Sequence, residues 1–196
     1  MKTAKPINTQ KLVLLALLTA IVIILQILAI LTKTLLPAFS ISLVLMPIVI
    51  GAAIIGTYAG GWLGLAFGFA VLISGDAAAF MAINPAATIA VVLLKGSLAG
   101  LAAGAVYRML AGKSKIIAAI ASAIVAPVVN TAVFIIGSYL FFLPTLTQWG
   151  EAADAANVTA YIFLTLVGIN FLIELGINLV LCPTIVRLIQ IGQGTK

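Results

Sequence analysis

The chain has 196 residues, 64% of them apolar and 7% charged, with a formal net charge of +6 and no histidine. Soluble domains are nearer half apolar and a quarter charged, so a chain this apolar cannot cover itself with polar surface and takes lipid as its solvent. Lack of histidine removes Ser-His-Asp and Cys-His catalysis and most zinc sites, so neither an enzyme nor a metal centre is expected.

The first apolar run, residues 12–31, follows Lys2, Lys5 and Lys11. It is too long for the apolar core of a cleaved signal peptide, and no small-x-small cleavage site follows, so it reads as a retained first helix. Ala16 and Ala20 form a ridge of small residues along it. Residues 41–56 and 60–74 supply a second and third span, joined by Gly56-Thr57-Tyr58-Ala59-Gly60. The third span carries Gly60, Gly64 and Gly68, and the fourth, 86–107, repeats the spacing with Gly96, Gly100 and Gly104. Hydrophobic drive between helices is weak in lipid, so close backbone approach over small residues is the expected packing device.

Between these two spans lies a short, turn-rich outer segment with Ser74-Gly75-Asp76 and Asn84-Pro85. The fifth span, 116–143, contains Pro127 and, one turn on, Asn130. A second outer loop, 144–157, holds Gln148, Trp149, Glu151 and Asp154. Trp149 suits either a membrane-interface anchor or a lid over a ligand. The sixth span, 158–189, sets Asn170, Glu174 and Asn178 on one helical face, and near its end Cys182, the single cysteine, reads as a packed, inert thiol. No run alternates polar and apolar residues as barrel strands do, so the spans are helices.

Six spans place Lys2, Lys5, Lys11, Arg108, Lys113, Lys115, Arg187 and Lys196 on one side, which the positive-inside rule makes the cytoplasm. Glu151 and Asp154 fall on the other side, with Lys33 the basic exception. The basic residues form no patch interleaved with aromatics, so lipid topology accounts for them and nucleic acid does not. The expected fold is a single all-α integral membrane domain over 1–196: six transmembrane helices, both termini cytoplasmic.

Ionisable groups in the hydrocarbon region are costly unless paired or wetted, so each is a functional candidate. Lys95, Asn130, Asn170 and Glu174 fall about 14–23 Å below the outer helix ends at about 1.5 Å per residue, from three different spans. This slab suits a pocket opening outward between the fourth, fifth and sixth spans, with Asp76, Asn84 and Trp149 in the loops above it. A buried Lys95–Glu174 ion pair with asparagines satisfying backbone groups is the structural alternative. Gly112-Lys113-Ser114 resembles the end of a phosphate-binding loop, but the glycine needed five residues earlier is Tyr107, so no ATP site is expected.

The chain as a whole resembles the substrate-binding S components of energy-coupling factor (ECF) vitamin transporters. The first span, Lys11-Leu12-Val13-Leu14-Leu15-Ala16-Leu17-Leu18-Thr19-Ala20, is similar to the family's opening with its Ala-x-x-x-Ala ridge. Leu94-Lys95-Gly96-Ser97-Leu98-Ala99-Gly100 is similar to the Lys-Gly segment many members carry in their fourth helix. The resemblance implies that Ala16 and Ala20 dock onto a transmembrane coupling subunit driven by two ATPase subunits. It also implies that a vitamin binds near the outer face and that the protein topples in the membrane to release it inward. No cofactor is implied. Residues 39–47 lack the acidic residue of riboflavin- and folate-type relatives, and Lys95 favours a substrate carboxylate, as in pantothenate. The competing expectation is a proton-coupled secondary carrier that titrates Glu174.

Overall fold

A computed structural model describes the backbone of residues 9–35 and 43–192, and the side chains of these apart from 33–35 and 169. Lys2, Lys5, Lys196, residues 39–42 and the Lys33 side chain, all used above, lie outside the described residues. Within them every regular element is a helix: α1 (Thr9–Leu35), α2 (Leu45–Ile54), α3 (Thr57–Ile73), α4 (Ala78–Ile83), α5 (Pro85–Leu110), α6 (Lys115–Phe141), α7 (Leu143–Ala152), α8 (Val158–Ala160), α9 (Ile169–Val180) and α10 (Cys182–Gly192). A π-helical segment, Tyr161–Gly168, joins α8 to α9.

Four segments are long and apolar enough to cross a bilayer: Thr9–Thr32, Pro85–Leu110, Lys115–Phe141 and Val158–Val180. Helices α2 and α3 are apolar but have 10 and 17 residues, against the roughly 20 that a straight span needs. Gly56 sits between them at φ 138°, backbone that an L side chain rarely adopts, and this lets the chain reverse in a single residue.

The glycines set the tightest seam. A Cβ on Gly64 would collide with the carbonyl of Gly96, and one on Gly96 with the carbonyl of Gly64; Gly60 and Gly100 stand in the same relation. Thus α3 and α5 touch backbone to backbone along two turns, as their four-residue spacing anticipates. Beside them, Ser122 Oγ of α6 lies 2.9 Å from Ala103 O of α5 and 2.8 Å from Ala118 O of its own helix, sharing its proton between the two.

The short helices α4 and α7 do not show in the sequence as helices. Pro144 in the first turn of α7 gives up only an N–H that has no partner there, and Leu146 and Gly150, four apart, are buried on one face. The last span is not one uniform helix either. Its α-helical ladder resumes after the π-segment and breaks again at Leu181, where Pro183 lacks an N–H and crowds the carbonyl four residues back. Buried Ile185 and Ile189 then seat α10 against α2 and α6.

Basic Arg108, Lys113 and Lys115 gather where α5 meets α6, while Glu151 and Asp154 lie around α7 at the opposite end. Two apolar clusters fill the interior. One is built from Leu18, Leu45, Ile48, Leu63, Ala123 and Ile185 among others. The second is smaller, lies toward the acidic end, and includes Val91, Phe142, Leu146 and Ile162.

Candidate functional site

Where the two clusters meet, the packing opens into a cavity of about 230 Å³. Its walls come from α1, α3, α4, α5, α6, the π-segment and α9. The cavity therefore reaches further than the space between the fourth, fifth and sixth spans, to α1 and α3 as well.

Helix α5 supplies Lys95, one position from the Gly96 seam, so the helix that locks onto α3 also aims a cation into the opening. Lys95 is half-buried, and its Nζ lies 5.7 Å from the Phe67 ring centroid and 5.4 Å from that of Phe134. Both distances allow a favourable cation–π contact. Helix α6 supplies Asn130, Thr131 and Phe134. Asn130 is 8% exposed, and its Oδ1 has no hydrogen-bond partner among the described residues. A buried acceptor left unpaired costs about 1–3 kcal/mol. Helix α9 supplies Asn170, exposed within the opening, and half-buried Glu174. Asp76, beside Gly75 at φ 80° in the turn between α3 and α4, reaches the same cavity.

Aromatic rings roof the cavity. Phe80 of α4 meets Phe134 edge-on at 5.6 Å and 86°, and Phe142 at 5.0 Å and 75°. Trp149 of α7 stands 5.8 Å from Phe80 at 67° and so backs the roof without lining the cavity.

Five of the seven sequence-predicted binding residues thus meet in one place: Asp76, Lys95, Asn130, Asn170 and Glu174. The other two stand apart from its walls. Asn84 caps α5, its Oδ1 accepting from Ala87 N at 3.1 Å, with Pro85 in the first turn; this is the ordinary use of Asn before a helix. Trp149 meets the site through the Phe80 ring and does not line the cavity. Asn178, the third member of the polar stripe, is buried and donates to the Glu174 carbonyl at 3.0 Å. Sequence reading passed over Gln26, 2% exposed in α1 and part of the cavity wall. A lone amide deep in an apolar run was the available signal. The wall residues Phe80, Phe134 and Phe142 carried none, because aromatic residues in an apolar span look like any other core.

Ala16 and Ala20 are exposed on α1, on the face opposite Leu18, Val22 and Ala29, which the core buries.

No curated protein and no solved structure matches this chain. The family of ECF transporter substrate-specific components does match, over residues 10–186, which runs from the second residue of α1 through α9 and into the start of α10. It gives no support to the secondary-carrier reading. The bundle of apolar helices around a polar cavity is accordingly that of a multi-pass membrane protein, and the chain belongs to the substrate-specific components of the ECF transporters.

Proposed function

We propose that this protein is the high-affinity substrate-binding subunit of an ATP-driven ECF importer for a water-soluble vitamin or related micronutrient. In this reading it sits in the plasma membrane of a prokaryote and crosses it six times, α2 and α3 included, with both termini cytoplasmic. The acidic, aromatic end faces outward. Substrate enters from there and is held by Lys95, Asn130, Asn170 and Glu174, with Asp76 at the mouth. Ala16 and Ala20 dock onto a transmembrane coupling subunit, and two ATPase subunits supply the energy.

One observation supports this reading above the others: polar groups from four separate elements converge on a single cavity inside an otherwise apolar bundle. A structural ion pair would account for Lys95 and a carboxylate. It would not account for Asn130 presenting an unpaired buried acceptor to the same space. Pantothenate, whose carboxylate Lys95 would attract, is the anionic candidate.

The test is to purify the chain alone and measure binding across a panel of water-soluble vitamins, with Glu174→Gln and Asn170→Ala alongside. Tight binding of one vitamin, lost in both variants, supports the assignment. Silence across the whole panel sinks it.

A further inference from the structure

The chemistry of the cavity wall narrows what fits inside. The formal charges on Asp76, Glu174 and Lys95 sum to −1 however the three pair with one another. A carboxylate ligand would have to enter past Asp76 and settle near Glu174, in surroundings where low dielectric strengthens repulsion between like charges. Lys95 is a weakened lure for it, because the ammonium already lies against the Phe67 and Phe134 rings.

Two further features point the same way. Asn130 Oδ1 is a buried acceptor with no partner, so a ligand is bound most strongly there by offering it a hydrogen. One turn along α6 from Asn130, about 6 Å of rise, Phe134 begins an aromatic wall continued by Phe80 and Phe142. The negative faces and positive edges of such rings suit a flat, electron-poor ring or a cation. The volume is adequate: a cavity of about 150 Å³ holds one benzene, and this one is about 230 Å³.

Resting on the substrate-binding reading above, we infer that the ligand is a small planar nitrogen heterocycle, neutral or singly positive. It donates an N–H to Asn130 Oδ1 and lies against the Phe80–Phe134–Phe142 wall. Asn130 is then the residue that selects for a donor, and Asp76 the charge that draws the ligand to the mouth.

The experiment uses the full chain in lipid nanodiscs. Thiamine, pyridoxamine and nicotinamide serve as ring probes carrying amine or amide donors; pantothenate and biotin serve as anionic probes. Binding is measured to the unaltered protein, to Asn130→Leu and to Asn130→Asp. The expected result is that one ring probe binds at least tenfold tighter than either anion. Asn130→Leu weakens it tenfold or more, and Asn130→Asp, which keeps an acceptor, retains it. If pantothenate or biotin is the tightest probe, or if a ring probe binds Asn130→Leu as well as it binds the parent, the inference is overturned while the substrate-binding reading stands. If no probe binds, the inference is overturned, and the substrate-binding reading falls with it only if the whole vitamin panel is silent too. The comparison among probes on the unaltered protein decides the matter even where a variant fails to fold.

Discussion

Toward α3, helix α5 presents Gly96 and Gly100, and the two backbones touch. Toward α9 it presents Thr88 and Lys95, and the two helices stand apart around about 230 Å³ of open space. One helix therefore has a face with no side chains at the contact and a face made of side chains that reach into a gap. In lipid the first arrangement is how helices adhere, through dispersion at close range. The second gives up that adhesion, and a family whose members bind substrates needs such a gap. A rigid seam beside an open site also holds Lys95 at a fixed height, since Gly96 next to it cannot move away from Gly64.

The seam should break most severely. Gly64→Leu drives a side chain into the Gly96 carbonyl with no flexible neighbour to yield, and we expect no monodisperse folded protein. Gly64→Ala adds only one methyl, and overpacking of that kind costs about 1–3 kcal/mol. A lowered midpoint of thermal unfolding in detergent checks it. Normal stability in Gly64→Leu would show that the seam is looser than its backbone contacts imply.

Next in size is a loss of transport without a loss of binding. Ala16 and Ala20 lie exposed on α1, away from the cavity, so Ala16→Leu with Ala20→Leu leaves the fold and the cavity alone. Under the proposed function we expect uptake to fall to background and the complex with the coupling subunit to be lost on gel filtration, with vitamin affinity unchanged. Retained uptake and assembly would remove this face from the docking surface.

How far each region could be read in advance follows from the kind of signal it carries. The seam was legible because glycine at four-residue spacing has few other uses in an apolar helix. The polar cluster was legible because Lys95, Asn130, Asn170 and Glu174 stand out against lipid-compatible neighbours and fall at one depth. Helix rotation was not, since apolar residues surround every span; hence Gln26 and the phenylalanine wall escaped notice, and Asn178, on the same face as Asn170 and Glu174, serves its own helix. Asn84 carries a capping signature, Asn directly before Pro, that its place in the loops above the pocket overrode. The helices α4 and α7 are too short for periodicity to appear, and the π-segment leaves no mark at all, because nothing in Tyr161–Gly168 distinguishes a five-residue backbone repeat from a four-residue one.

The aromatic roof should show a moderate effect. Phe80 holds the Phe134, Phe142 and Trp149 rings together across three elements, and each such contact contributes about 0.5–1.5 kcal/mol beyond area. Under the proposed function, Phe80→Ala should weaken substrate binding roughly three- to tenfold, expressed mainly as faster release because the ring packs against the cavity's aromatic wall. Unchanged dissociation would mean that the ligand leaves by another route.

The smallest expected effect is the control that gives the seam its meaning. Gly176 lies in α9, and a Cβ built there meets nothing within 4 Å. Alanine is favoured over glycine inside a helix by up to about 1 kcal/mol, so Gly176→Ala should leave unfolding unchanged or raise its midpoint slightly. Gly64→Ala, the same chemical change in the same kind of helix, should lower it. If both variants fall together, the cost belongs to altering glycine in any of these helices, and the backbone contact between α3 and α5 is not what sets the seam apart. If they separate, the difference between them is the cost of forcing a methyl into that contact, because helix propensity cancels between the two sites.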